Sequence, residues 1–172
     1  MGKITIAAVG LTLVFFCAMD VLTPAAPQEK AAPMSSMEVP RGYRDWKLIS
    51  VAHEEGSLKD IRAILGDEVA IQAYREEKLP FPDGAIIARI AWNHVPSEEN
   101  NKVFGDPQSF VAGDPTNIQF MFKDSTKYAA TGGWGFAQFD THGKLADDAA
   151  LKTCFPCHAK ASHDLVFTRY AP

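Results

Sequence analysis

Two cysteines and a histidine fall within a five-residue stretch of this 172-residue sequence, Cys154-Phe-Pro-Cys157-His158. This Cys-x-x-Cys-His spacing is typical of covalent c-type haem attachment. Thiols three residues apart lie on one side of a helical turn, so both can bond to the vinyl groups on one edge of a porphyrin. The adjacent imidazole then lies beneath the iron as its proximal ligand. The motif therefore predicts a fold built around one haem c, held by Cys154 and Cys157 and ligated by His158.

Three other interpretations of the motif compete with haem attachment. Cys-x-Pro-Cys also occurs in thioredoxin-like oxidoreductases, but there it opens a helix early in the fold, whereas only 14 residues follow His158 here. A structural zinc site needs four ligands, and the nearby His142 and His163 lack the paired spacing of zinc modules. A plain disulfide across two intervening residues would be strained. Covalent haem attachment is the interpretation that these arguments favour.

The N-terminal segment predicts export. Lys3 precedes an apolar run over 4–18, and small residues follow near Ala25, which is the pattern of a cleaved signal peptide over residues 1–26. The run is shorter than the roughly 20 residues of a membrane span, and a retained N-terminal anchor is the alternative. Because Cys17 leaves with this segment, two of the three cysteines remain, both in the motif. We expect a periplasmic protein.

Composition divides the rest of the chain into a tether and one domain. Residues 27–40, rich in Pro, Ala, Ser and Met, are predicted to form a flexible tether, and residues 41–172 a single haem-binding domain. The chain has 17 basic and 21 acidic side chains, a formal net charge of -4, and no basic run. Nucleic acid and anionic membrane surfaces are therefore not expected partners.

Hydrophobic patterning predicts an α+β domain dominated by an antiparallel sheet. Strands are predicted at 45–52, 85–95, 117–123 and 134–139, helices at 67–78, 125–130 and 146–152, turns at 79–84 and 114–116, a loop at 96–101, and a helical turn from Cys154. The segment 58–65 fits either a helix or a strand. In the strand at 117–123, apolar side chains alternate with Gln119, Met121 and Lys123, which predicts one buried face.

The sequence offers no obvious sixth ligand to the iron. Small electron-transfer cytochromes supply a methionine from the C-terminal part of the chain, but none follows His158. Met121 lies in a predicted strand, and the histidines that remain open are also explained as surface or loop residues. These are His53, His94, His142 and His163. We therefore expect a five-coordinate iron that binds a small ligand.

Several short motifs occur together in a fixed order. They are Tyr43-Arg44-Asp45-Trp46, Phe81-Pro82-Asp83-Gly84, Lys123-Asp124-Ser125 with Lys127-Tyr128, Gly132-Gly133-Trp134-Gly135-Phe136 and Cys154-x-x-Cys157-His158. In this order they resemble the cytochrome P-460 family, over residues 41–172. That family includes the hydroxylamine-oxidising cytochromes P-460 and the cytochromes c-prime-beta, which bind nitric oxide and carbon monoxide. The resemblance implies a mainly β-sheet fold, often a homodimer, with a five-coordinate haem in a partly apolar pocket.

One position departs from the enzymes of that family. The resemblance implies that a lysine shortly after the Phe-Pro-Asp-Gly turn is joined covalently to the haem edge, and here that position is Arg89. A guanidinium stays protonated and is a poor nucleophile, so the same cross-link is not expected. Arg89 either pairs with a carboxylate inside the sheet or points into the distal pocket, where it could stabilise a bound polar ligand.

Other side chains are candidates for shaping the pocket. Phe81 is a candidate for its wall, with core packing as the alternative, and the same holds for the phenylalanines in or beside the later strands. Those are Phe120, Phe122, Phe136 and Phe139. Arg169 could return to the proximal side, and a lysine could contact a propionate. The lysines considered are Lys78, Lys102, Lys123 and Lys127.

These observations lead to three functional expectations. The first is reversible binding of nitric oxide or a similar small gaseous or nitrogenous ligand. The second is an enzyme that oxidises hydroxylamine or nitric oxide, and the third is an electron-transfer module. A cytochrome is the redox partner expected in the last two cases.

Overall fold

A computed structural model describes residues 37–171 as one antiparallel sheet with short helices at its edges. The strands are β1 (Lys47–Glu54), β2 (Asp60–Gly66), β3 (Ile86–Pro96), β4 (Phe110–Lys123) and β5 (Trp134–Phe139), and the helices are α1 (Glu68–Arg75), α2 (Glu98–Phe104), α3 (Asp148–Leu151) and α4 (Cys154–His158). Single 3₁₀ turns occupy Tyr43–Asp45 and Ala129–Thr131. The predicted α+β class is confirmed. The predicted signal peptide, 1–26, and most of the predicted tether lie outside the described residues.

Each strand pairs with its neighbour in sequence, so the sheet order is β1-β2-β3-β4-β5. The segment 58–65, which fitted either a helix or a strand, forms most of β2, because β1 and β3 take up its hydrogen bonds on both sides. The turn predicted at 114–116 lies inside β4, where the register with β3 shifts near Trp92. Proline is tolerated in this strand because the shift interrupts the ladder.

One loop prediction and one helix prediction differ from the structure for local reasons. Residues 96–101 were expected to be a loop, but α2 starts after Ser97, whose hydroxyl accepts a hydrogen bond from the Asn100 amide at 3.3 Å. Gly105, at φ +78°, ends that helix. The helix predicted at 125–130 is instead a series of turns with a 3₁₀ turn, because Gly132 and Gly133 follow it with φ values of +67° and +82°.

Helix α1 closes one side of the sheet. The Asp67 carboxylate caps it by accepting the Ala70 amide at 2.8 Å, and it also accepts the Ile86 amide at 3.1 Å. Burial raises the pKa of Asp67. The helix ends at Arg75 rather than at the predicted residue 78, and Glu77 then adopts a left-handed backbone at φ +52°.

The two faces of the sheet carry separate hydrophobic cores. The cavity-side core lies between the sheet and α1 and comprises Ile49, Ile64, Ala70, Ile71, Ala73, Phe81, Ala85, Ile87, Met121, Trp134, Phe136 and Val166. The far-side core comprises Leu65, Ala88, Ile90, Phe120, Ala137 and Phe139. Met37 and Val39, which the sequence placed in the tether, pack against the far-side core, so the end of the tether contacts the domain.

Between residues 37 and 171, none of the helices has the length and apolar character needed to cross a membrane.

Candidate functional site

A cavity of about 540 Å³ opens between the sheet and the C-terminal part of the chain. Its volume lies within the roughly 300–1,000 Å³ of typical ligand pockets. The sheet forms one wall, and α4 with residues 166–171 forms the other. The cavity brings together the three residues of the Cys-x-x-Cys-His motif, Cys154, Cys157 and His158, with Arg89.

Helix α4 is held at the cavity by the short helix before it. Asp147 caps α3 by accepting the Ala150 amide at 2.8 Å, and Leu151 is fully buried. The Thr153 hydroxyl donates to the Ala150 carbonyl at 2.6 Å, which ends α3 directly before the motif. Pro156 falls in the first turn of α4, where a residue without an amide hydrogen is tolerated. The predicted helical turn at the motif is confirmed.

The His158 imidazole is fixed in orientation on three sides. Its Nδ1 lies 2.8 Å from the Leu165 carbonyl oxygen, an acceptor, so Nδ1 carries the proton and Nε2 keeps its lone pair. The rings of Phe136 and Phe167 lie with their centroids 4.9 and 5.2 Å from the imidazole. Burial lowers the pKa of His158, which favours the neutral form. A neutral imidazole with a free Nε2 is the form that binds a metal.

The two thiols differ in exposure but are both free. Cys154 is half-buried and Cys157 is exposed. Burial raises the pKa of the Cys154 thiol, whereas the cysteines of thiol oxidoreductases have a lowered pKa that stabilises the thiolate. Across residues 37–171, no group of three or more His, Cys, Asp or Glu side chains is arranged to hold a metal ion.

A buried ionic network forms the polar part of the cavity wall. Asp60, 2% exposed, accepts two hydrogen bonds from Arg62, each 2.8 Å long, and one from Arg89. Arg89 also donates to the Asn117 side-chain oxygen at 2.7 Å. Burial lowers the pKa of Arg89. Arg89 thus pairs with a carboxylate inside the sheet and also lines the cavity, and its contact with a bound ligand stays a prediction.

One donor of that network lacks an acceptor. Among the described residues, the buried Nε–H of Arg89 has no hydrogen-bond partner. An unmet buried donor costs about 1–3 kcal/mol, more when the group is charged.

Phe81 does not line this cavity. Its ring, 3% exposed, packs in the cavity-side core, with centroids 5.6 Å from Trp134 and 5.0 Å from Tyr74. The sequence could not separate wall from core here, because both environments select large apolar side chains. The apolar wall residues include Ile87, Met121, Phe136 and Phe167.

Two polar wall residues, Arg62 and Gln119, were missed as site residues. The strand pattern contained the signal, since each of these residues has an apolar residue two positions away, on the same face of its strand. The polar side of 117–123 was taken as the side away from the core, but it faces the cavity, and Lys123 at its end is only 6% exposed.

The remaining residues considered from the sequence lie in several places. Arg169 lines the cavity and approaches the His163 Nε2 at 3.0 Å. His53 and His94 stack on each other with centroids 3.9 Å apart, and neither lines the cavity. Lys78, Lys102, Lys127 and His142 are exposed.

The residues at this site fit a covalently bound haem. Two free thiols, an imidazole with a free Nε2, apolar walls and a guanidinium share one cavity. A family model described as Cytochrome P460 matches residues 40–168. No curated protein matches the chain.

Proposed function

Because the chain belongs to the cytochrome P460 family, we propose that it is an exported monohaem c-type cytochrome that binds nitric oxide or a similar small ligand. Family membership establishes a cytochrome with a haem cofactor. The observation that carries the finer proposal is the cavity itself, to which His158 contributes an imidazole with a free Nε2 and Arg89 contributes a guanidinium.

Covalent attachment would use the two thiols of α4. Each thiol adds across one vinyl group, so the sulfur forms the new carbon–sulfur bond and the thiol proton goes to the other vinyl carbon. The addition needs no oxidant. Cys154 and Cys157 are both unpaired and lie on the same cavity, which supports this assignment.

His158 would bind the iron through Nε2, which stays unprotonated because Nδ1 carries the proton and donates it in a hydrogen bond to the Leu165 carbonyl. When bound, the haem would supply an iron able to bind a diatomic ligand. Arg89 then acts through its N–H groups, which favour a ligand that carries partial negative charge. The apolar walls limit access of water and select small ligands.

The cavity wall supports ligand binding over the oxidation of hydroxylamine. In the enzymes that the sequence resembles, a lysine is joined to the haem edge. Within the described chain, no lysine lines the cavity, and Arg89 occupies the position predicted for it. The site therefore lacks the nucleophile for a third covalent link.

Met121 supports electron transfer as a second candidate function. Its side chain lines the same cavity as His158 and is 8% exposed, although the sequence predicted it only as a strand residue. A thioether bound to the iron would give a six-coordinate electron-transfer centre.

Optical spectra of the purified ferrous protein, with and without carbon monoxide, test the proposal. We expect a high-spin ferrous spectrum that changes on adding carbon monoxide, and no titratable thiol in denaturant. A low-spin spectrum that carbon monoxide leaves unchanged would favour electron transfer through Met121. A red-shifted haem with a third covalent link would favour the enzyme, and two titratable thiols would exclude covalent haem.

A further inference from the structure

A strained turn lies directly behind the imidazole of His158. Asp164 and Leu165 have φ values of +50° and +66°, in the left-handed region that side chains other than glycine rarely adopt. The carbonyl oxygen of Leu165 accepts the hydrogen bond from the Nδ1–H of His158. Backbone in this region is strained and persists only where the surroundings hold it.

A buried ion pair holds this turn. The Lys123 Nζ lies 3.0 and 2.8 Å from the two carboxylate oxygens of Asp164, and the Lys123 side chain is 5% exposed. The same carboxylate accepts the backbone N–H of Phe81 at 2.8 Å. The ammonium also lies 5.0 Å from the centre of the Trp134 ring. Asp164 is thus fixed to two separate parts of the fold.

Two glycines make room for this arrangement. A Cβ at Gly132 would lie 3.1 Å from the Leu165 side chain, and a Cβ at Gly133 would lie 3.3 Å from the Lys123 Nζ. Both glycines have positive φ, so larger residues would also be strained there.

Three of the sequence motifs therefore meet at one place. Asp83, in the Phe-Pro-Asp-Gly turn, accepts the Ser125 amide and hydroxyl at 2.8 and 2.7 Å, which joins that turn to the end of β4 beside Lys123. The glycine pair precedes β5, which carries Phe136 against His158. None of these motifs supplies a thiol or an iron ligand, and all of them surround the turn that contacts the ligand.

We infer that Lys123 and Asp164 are positioning residues for the iron ligand, because their ion pair fixes the turn whose carbonyl orients the His158 imidazole. The inference rests on the proposed role of His158. A carbonyl that accepts the Nδ1 proton raises the basicity of the imidazole and fixes its rotation, and such outer contacts tune a metal centre. Lys123 and Asp164 act through Leu165 and touch neither ligand nor iron.

The test compares full-length, haem-loaded variants by two measurements on the haem. One is the iron–histidine stretching band in resonance Raman spectra of the ferrous protein, and the other is the reduction potential. In Lys123→Met and Asp164→Asn we expect the band to move to lower frequency and the potential to rise, because the imidazole becomes a weaker donor. Lys123→Arg keeps a cation that can donate to both carboxylate oxygens and should restore the wild-type values.

Lys127→Met is the matched control, since Lys127 is exposed and lies on the turn after β4. It should leave the band and the potential unchanged. If Lys123→Met is too unstable to load haem, Asp164→Asn alone carries the comparison. Folded variants with the wild-type band and potential would overturn the inference while leaving the proposed function intact. A wild-type protein without an iron–histidine band, or a His158→Ala variant that keeps it, would instead refute the proposed function.

Discussion

The two faces of the sheet are built from the same strands but differ in chemistry. On the far side, the residues that pack together are all apolar, as in Leu65, Ala88, Ile90, Phe120, Ala137 and Phe139. On the cavity side, apolar residues alternate along the strands with polar ones, as in Arg62, Ile64, Ile87, Arg89, Gln119 and Met121. One face therefore stabilises the domain, and the other combines packing with groups that can contact a ligand.

The polar side chains of the cavity side are paired with one another rather than with bulk water. The Gln119 amide donates to the Gln138 side-chain oxygen at 2.6 Å, and Asp60 holds both arginines. The Arg89 Nε–H remains unpartnered within the described part of the chain. Substitutions on the two faces can therefore test whether the far side determines stability and the cavity side determines ligand binding.

The largest expected effect is on stability and comes from the far side. Phe139 is 2% exposed, and its ring packs edge-on against Phe120 with centroids 5.9 Å apart. Phe139→Ala should lower the free energy of unfolding by about 3–5 kcal/mol, because it leaves a cavity in that core. Urea unfolding measures this loss. The ferrous spectrum and nitric oxide affinity of the folded variant should match those of the wild type. A change in either would show that the far side also affects the ligand site.

The next effect is on ligand binding and comes from the cavity side. Arg89→Leu removes the guanidinium from the cavity wall, while Asp60 keeps its two hydrogen bonds from Arg62. A hydrogen bond from a charged donor is worth about 1.5–3 kcal/mol, so nitric oxide affinity should fall by roughly tenfold or more. Stopped-flow dissociation rates measure it.

Ile90→Val is the control for Arg89→Leu, because Ile90 is the next residue of β3 and faces the far side. It should lower stability by about 0.5–1.5 kcal/mol and leave the dissociation rate unchanged. Equal dissociation rates for Arg89→Leu and the wild type would show that Arg89 serves the sheet alone.

A smaller effect comes from the glycine behind His158. Gly132 and Gly56 have nearly equal φ values, +67° and +69°, but only a Cβ at Gly132 would meet a neighbour, Leu165. Gly132→Ala and Gly56→Ala should each cost about 1–2 kcal/mol of stability for the left-handed backbone. Only Gly132→Ala should also shift the iron–histidine band. A shift in both variants would remove the link between this contact and the ligand.

The smallest effect concerns pH at the turn joined to β4. Hydrogen bonds from the Ser125 hydroxyl and amide lower the pKa of Asp83 from its ordinary value of 3.8. Because the pKa of Asp83 is lower in the folded state than in the unfolded state, the charged carboxylate stabilises the fold above the ordinary pKa. This stability is lost as the pH falls through the lowered pKa. Wild-type urea midpoints should therefore fall between about pH 5 and pH 3 by more than those of Asp83→Asn. Ser125→Ala should give an intermediate decrease, and identical decreases in all three proteins would contradict the assignment.

Much of this architecture could be predicted from local sequence signals. The strand at 85–95 is β3, the capping role of Asp67 was visible, and the spacing of Cys154, Cys157 and His158 predicted a shared site that the cavity brings together. These features depend on side chains that are close in sequence.

Several of the features that were not predicted depend on residues far apart in sequence. The pairing of Lys123 with Asp164 joins residues 41 positions apart, and neither neighbourhood indicates the other. The same limit explains Phe81, whose apolar character is equally suited to a wall and to a core. Asp60 was not singled out because its importance comes from two arginines on different strands.

The order of the strands has a consequence for how the protein assembles. Every strand pairs with its immediate neighbour in sequence, so the sheet forms from short-range contacts. The outer wall of the cavity depends on long-range ones, since Tyr74 donates to the Thr168 carbonyl 94 residues away and the Ala171 amide donates to the carbonyl of Ile49. Contacts that close long loops form late and open first. We therefore expect the sheet to form before this outer wall docks onto it.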